Sequence, residues 1–300
     1  MSQSIDSTAT QASKTTRDVS VPPELTDRSL EIAVKRLAND LRYGQDPSPF
    51  VSSGVDYVQS RPFVDGDSVR DIDWRVTARS GRHYVKEYES LKTTPVFIVF
   101  DTSASMVFSS RPTSKYQLGL ILAGGIALAS LRRLSPVGLL ASSQHSQYFP
   151  LSSSRQRVFG WLAQLRVPRR DSRTELADRL SELQASMPTR SLVIVISDLH
   201  DTDSVAAIKR THLRHDVAVV QLQDPAERGN LRGGVFRGSE AETNTGFIAR
   251  SRSKWFTQAT PQTQLAESGI DHLLLSTDQS FLAPLRRFLS ARDTAAQGLR

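Results

Sequence analysis

Two short segments carry residues whose types and spacing could do chemistry. Asp101-Thr102-Ser103-Ala104-Ser105 and Ser197-Asp198-Leu199-His200-Asp201 each follow a continuous apolar run, residues 96–100 and 192–196. Such runs suit strands buried on both faces of a parallel sheet. In open α/β sheets ligands bind beyond the carboxyl ends of the strands, so both segments would deliver a carboxylate, Asp101 and Asp198, to one edge. Ser103 and Ser105, at alternate positions, could point at a common centre. Ser172-Arg173-Thr174-Glu175-Leu176 opens a helix and offers the Thr174 hydroxyl from a loop on that edge. Three hydroxyls and two carboxylates form a hard-oxygen site with too little charge for a tight calcium cage. Mg2+ or Mn2+, which keep several waters in octahedral geometry, suit it better. A position left open on the ion would accept an Asp or Glu carboxylate from a protein partner. His200 and Asp201 are candidates for a supporting role around that ion or for contact with the partner. The bland alternative is that the serines satisfy turn donors and the two aspartates are ordinary strand-end residues.

Enzyme chemistries fit less well. A phosphatase with a nucleophilic aspartate after a buried strand needs a second acid two residues on, where Ser103 stands. No Gly-x-Ser-x-Gly elbow frames a nucleophilic serine. The chain is therefore expected not to be an enzyme. A metal-dependent nucleic-acid-processing hydrolase using Asp101, Asp198 and Asp201 is the alternative, encouraged by 38 basic against 31 acidic residues and a pI near 9.9. Against a nucleic-acid partner, the Lys and Arg residues are spread along the chain without interleaved aromatics. The densest patch, between Arg155 and Arg173, reads as a solvated helix face. The chain has no cysteine, so disulfides and thiolate metal sites are excluded. No apolar run reaches the roughly 18 residues of a membrane span and no secretion signal opens the chain, so a cytoplasmic protein is expected.

The elements that must position these residues alternate as a doubly wound α/β fold requires. Strong strand candidates are residues 96–100, 192–196 and 217–222, with 137–141 and 272–275 weaker; helices are expected at about 115–133, 155–165, 174–186, 203–214 and 279–291. Before the sheet, Leu30, Ile32, Val34, Leu37, Ala38 and Leu41 form a helical stripe capped by Thr26 or Asp27 and ending near Tyr43-Gly44. Residues from Phe50 to Lys92 read as a small β-rich region. The expected organisation is a disordered Ser/Thr-rich tail over 1–23, a helix and β-rich region over 24–93, an α/β domain over 94–292 with an insertion at about 225–255, and a flexible tail over 293–300.

Asp101, Ser103, Ser105, Thr174 and Asp198 together resemble the metal-ion-dependent adhesion site of von Willebrand factor A domains, whose motif is Asp-x-Ser-x-Ser with a distant Thr and a distant Asp. That resemblance implies a Rossmann-like domain in which the hydroxyls touch the metal and the carboxylates bind it directly or through water. The segment from Ser60 to Trp74, then Ala78-Arg79, is similar to the signature of the bacterial family known as domain of unknown function 58. Gly66-Asp67, Arg70, Ile72-Asp73-Trp74, Arg79 and Asp101 to Met106 carry this likeness, as do Asp224-Pro225-Ala226-Glu227 and Glu242-Thr243 with Gly246. Phe63 departs from it. The likeness implies a MoxR-type AAA+ ATPase as partner and a role as adaptor or cofactor in a maturation or assembly system. Read physically, the acidic cluster Asp65, Asp67, Asp71 and Asp73 among arginines predicts a turn held by Arg–Asp hydrogen bonds over a buried Trp74, with a partner-docking surface as the other reading.

Overall fold

Thr26 opens the first helix as the sequence proposes: its hydroxyl accepts from the Ser29 amide and the Ser29 side chain answers at the cap. The computed structural model describes residues 25–41, 55–90, 94–168, 174–187, 189–228, 235–239, 246–250 and 261–298. The expected N-terminal tail, the helix end near Tyr43-Gly44, and Ser172, Arg173, Glu242 and Thr243 lie outside these residues. Helix α1 (Asp27–Asp40) buries Leu30, Ala33, Val34, Leu37 and Ala38, whereas Ile32 faces outward. The β-rich region is an antiparallel pair, β1 (Val55–Pro62) and β2 (Tyr84–Ser90), joined through a 3-10 turn at Val69–Asp71 and the short helix α2 (Trp74–Ser80).

The apolar runs become strands β3 (Val96–Asp101), β4 (Val137–Ser142), β6 (Leu192–Ser197), β7 (Asp216–Gln223) and β10 (Asp271–Ser276), all parallel. An unforeseen strand, β5 (Gln147–Ser152), pairs antiparallel with β4. It is an edge strand, mostly exposed and containing Pro150, so it lacks the apolar signature of its neighbours. The order β5-β4-β3-β6-β7-β10 is the doubly wound order 3-2-1-4-5-6 when the six strands are numbered along the chain. The expected fold class, a doubly wound and mostly parallel α/β sheet, is the observed one. The connections carry α3 (Ala104–Val107), α4 (Lys115–Arg132), α5 (Arg155–Leu165), α6 (Leu176–Ser186), α7 (Thr202–His212), α8 (Pro261–Ala266) and α9 (Leu282–Gly298). Within the expected insertion, β8 (Val235–Ser239) and β9 (Gly246–Arg250) form a separate antiparallel pair.

Side chains alternate along β3, so Val96, Ile98 and Phe100 join a core with α1, α4, α5 and α9, while Phe97 and Val99 join one with α6, α7 and α8. This corrects the expected boundary, because α1 belongs to the sheet domain's own core. The contact is close: a Cβ on Gly125 would lie 2.4 Å from Leu37 Cδ2, and one on Gly124 2.7 Å from Val34 Cγ2. Leu37 and Val34 are fully buried there, each contributing on the order of 1.5–3 kcal/mol. A second correction concerns the C-terminus, where α9 runs to Gly298 through the expected tail. Ala291, Ala295, Ala296, Arg292 and Gln297 are good helix formers and continue the pattern. Among the described residues no helix is long and apolar enough to cross a membrane.

Candidate functional site

The strand order reverses between β3 and β6, the crevice where a doubly wound sheet binds ligands. Asp101 ends β3 and Asp198 follows β6, so the two aspartates flank that crevice, both buried. Asp101 Oδ1 accepts from the Ser103 amide at 3.0 Å and Oδ2 from the Ser197 hydroxyl at 2.7 Å. The Ser103 and Ser105 hydroxyls lie 3.0 Å apart, and Ser105 faces Asp198 closely enough to help lower its pKa. Four of the five residues expected as metal ligands are thus joined in one cluster. Beyond β6 the chain bends at Leu199, a buried residue in the left-handed region (φ 55°), held there by its amide donating to Ser197 Oγ at 3.0 Å. A non-glycine residue in this conformation costs about 1–2 kcal/mol, strain of the kind that gathers at functional sites.

Burial, reinforced by the charge of Asp198, pushes the Asp101 carboxyl up to about 6 against the hydrogen bonds from Ser197 and Ser103. A carboxylate so short of counter-charge favours an added cation. Two oxygens bound cis on an octahedral ion at about 2.1 Å stand about 3.0 Å apart, and the Ser103–Ser105 spacing matches that edge. Ser142, in register with Asp101 on the neighbouring strand, has a buried hydroxyl without a hydrogen-bond partner. Donor chemistry and spacing fit a small hard divalent ion at Asp101, Ser103 and Ser105.

Two further charged residues enter the same cluster: Lys115, which the sequence did not single out, and Glu227, noted there only as part of the family likeness. Lys115, first residue of α4, is fully buried, its Nζ 2.7 Å from Asp198 Oδ2 and hydrogen-bonded to Glu227 Oε1. Burial pulls the ammonium's pKa down, but the charges and hydrogen bonds of Asp198 and Glu227 outweigh it and the pKa is raised. In spite of their burial, both carboxylates lie below their usual range, Asp198 through the charge of Lys115 and then that of His200, Glu227 first through the His200 hydrogen bond and then through Lys115. His200 Nε2 lies 3.4 Å from Glu227 Oε1 and 3.7 Å from Asp198 Oδ2, and its pKa is raised, first by the Glu227 hydrogen bond. Glu227 arrives there because Asp224-Pro225-Ala226-Glu227 is a tight 3-10 turn. Asp224 accepts from the Ser110 amide and the Ala226 amide, each at 2.9 Å, and its own amide donates to Glu227 Oε2 at 3.0 Å. Ligand atoms of Asp198, His200 and Glu227 converge as a metal could require, but the Lys115 ammonium already bonds two of the three.

The other expected residues have distinct places. Thr174 stands half-buried just ahead of Glu175, the N-cap residue of α6. Asp201 caps α7, one oxygen accepting from the Asp203 amide at 3.1 Å and the other from the Ser204 hydroxyl at 2.9 Å, so its carboxylate is committed to the helix start. In the signature region the expected Arg–Asp turn is present: Arg61 grips Asp67 with two bonds of 2.7 Å, beside Gly66 at φ 108°. Asp73 is buried, accepting from Ser60 at 2.7 Å and from the Arg75 and Val76 amides as cap of α2. Trp74, expected to be buried, is 64% exposed. It opens a seven-residue helix that buries none of its residues, and Arg70 and Arg79 are exposed with it.

The family described as "Protein of unknown function DUF58" matches residues 59–259, and the chain belongs to it. It is 24% identical over 283 residues to the uncharacterized protein Rv1480 of Mycobacterium tuberculosis, covering 90% of this chain and 89% of that one, and equally to Mb1516 of Mycobacterium bovis. Among solved structures it is similar to the conserved hypothetical protein BatB of Bacteroides thetaiotaomicron, at 16% identity and a TM-score of 0.45 over 67% of this chain and 99% of that one. It is also similar to the SpRpn10 VWA domain, at 9% identity and a TM-score of 0.41 over 64% and 94%.

Proposed function

We propose that this DUF58-family chain is a protein-interaction module of the von Willebrand factor A type, dependent on a divalent ion, Mg2+ or Mn2+. Asp101, Ser103, Ser105 and Thr174 would hold the ion, with Asp198 binding directly or through water. The observation that carries the reading is the pair of serine hydroxyls 3.0 Å apart beside the fully buried, charge-starved Asp101. When bound, the ion would supply an open Lewis-acidic position for an Asp or Glu carboxylate of the partner. Asp101 contributes the charge and is kept in orientation by Ser197 and the Ser103 amide, while Ser105 brings the hydroxyl pair up to Asp198.

Binding rather than catalysis is the reading these contacts favour. Ser103 and Ser105 bond each other and the carboxylates, and His200 is turned to Asp198 and Glu227, so neither serine meets a histidine base. The hydrolase reading gains no support from Asp201, whose two oxygens cap a helix. The partner that the sequence resemblance implies, a MoxR-type AAA+ ATPase, with an adaptor or cofactor role in its maturation or assembly system, completes the proposal. The test is calorimetric titration of Mg2+ and Mn2+ into the full chain beside Asp101→Ala and Ser103→Ala, followed by ATPase binding with and without metal. Saturable metal binding lost in both variants, with ATPase capture that needs metal, is expected; variants that bind metal like wild type would sink the site.

A further inference from the structure

Lys115 is an anomaly on three counts. It is a fully buried ammonium, it sits in the first turn of an eighteen-residue helix, whose dipole disfavours positive charge, and it lies inside the cluster that fits a metal. Its Nζ bonds Asp198 Oδ2 at 2.7 Å and also Glu227, and Ser105 faces the same Asp198. Lysine and Ser105 therefore meet at one carboxylate. The ammonium's single charge offsets only one of the two carboxylates it bonds, so an ion at Ser103 and Ser105 meets Asp101 together with an Asp198 whose Oδ2 the lysine already holds. To gain that oxygen the ion must displace an enclosed ammonium, the lysine side chain having no exposed surface.

We infer that Lys115 is the resident counter-ion of this site and competes with the divalent ion for Asp198, so that metal affinity is set by the lysine. This rests on the metal reading above and specifies how the site is regulated: metal binds weakly while Lys115 holds Asp198, and tightly once it lets go. Release of Lys115 also removes one of the contacts on Glu227, the end of the Asp224-Pro225-Ala226-Glu227 turn, which ties metal occupancy to the position of that turn.

The experiment uses the full chain stripped of metal, as wild type, Lys115→Met and Lys115→Met/Glu227→Gln. Methionine keeps an apolar stem of similar length and removes the charge; the second change removes the carboxylate left without its partner. Titration with Mn2+ and Mg2+ should show at least about tenfold tighter binding in the double variant than in wild type, abolished by adding Asp101→Ala. Excess Mg2+ should raise the melting temperature of Lys115→Met more than that of wild type, a rescue that a merely space-filling lysine would not produce. If a variant fails to fold without metal, refolding on Mg2+ addition, followed by circular dichroism, upholds the inference and failure to refold overturns it. Equal metal affinity in wild type and double variant overturns it while leaving the metal reading intact. Binding in the double variant alone upholds the competition and removes metal dependence from the native protein. Binding in neither overturns both. Gained binding that survives Asp101→Ala means that the ion enters a site created by removing the lysine rather than the one at Asp101, Ser103 and Ser105, and overturns the inference.

Discussion

The switch-point cluster and the signature region over residues 60–80 both gather aspartates with basic residues, yet they use them in opposite ways. Asp101, Asp198 and Lys115 lie inside the sheet domain, where each charge depends on the next because water cannot replace a partner. Asp67 and Asp73 organise a surface turn, and the residues around them, Val64, Val69 and Trp74, face outward. Acidic residues interleaved with arginines in sequence therefore do not by themselves mark a binding site. What distinguishes the candidate site is convergence from distant elements: residues 101, 115, 198 and 227 come from four different segments. In the signature region the side-chain bonds from Ser60 to Asp73, from Arg61 to Asp67 and from the Tyr84 amide to Thr77 span thirteen, six and seven positions.

The comparison predicts a gradient of effects. Lys115→Met, which strands Asp198 and Glu227, is expected to destabilise the whole domain by about 3–5 kcal/mol without metal, as read by chemical denaturation. A loss below about 1 kcal/mol would show that the cluster is more hydrated than its burial implies. Asp73→Ala should cost about 1 kcal/mol through the lost cap. That loss should stay local: hydrogen exchange should quicken at the Arg75 and Val76 amides and not in β3. Protection lost in β3 as well would mean that the two regions are one cooperative unit.

Asp67 supplies the pH arm. Hydrogen bonds from Arg61 and the Val64 amide lower its pKa from 3.8 to about 2. A depressed folded-state value means that its contribution is complete above 3.8 and is lost as pH falls toward about 2. Carboxyl chemical shifts should place the Asp67 midpoint well below 3.8, and in Arg61→Ala it should move back up; an ordinary midpoint in wild type would contradict the turn. Trp74→Ala should be the mildest change, within about 0.5 kcal/mol of wild type, with loss of the fluorescence of an exposed indole. A larger cost would mean that Trp74 is covered.

The edge that carries the switch-point cluster was legible because apolar runs announce β3 and β6, and the first polar residues after such runs must emerge at the strand ends. Asp101, Ser103, Ser105 and Asp198 follow from that logic. Lys115 did not, because a lysine opening a helix reads as solvated; only the third dimension reveals that all of its side chain is enclosed. Glu227 is 112 positions from Lys115, a separation over which one sequence carries no pairing signal, although the Asp-Pro-Ala-Glu turn that aims it was visible. Trp74 misled because an indole after a buried aspartate resembles core, whereas a seven-residue helix on a two-stranded sheet has no core to enter. Strand β5 lacked the apolar run of its neighbours. The docking of α1 was encoded in the Gly124-Gly125 pair, whose missing side chains are informative only once Val34 and Leu37 are seen to fill the space.

The most direct test of the account is anomalous diffraction from crystals of the full chain grown with Mn2+. The account predicts one manganese peak within coordination distance of Asp101, Ser103 and Ser105, with Lys115 drawn away from Asp198 as the ion takes its share of that carboxylate. A peak seated instead on His200 and Glu227, or none at a concentration that saturates binding in solution, would contradict it.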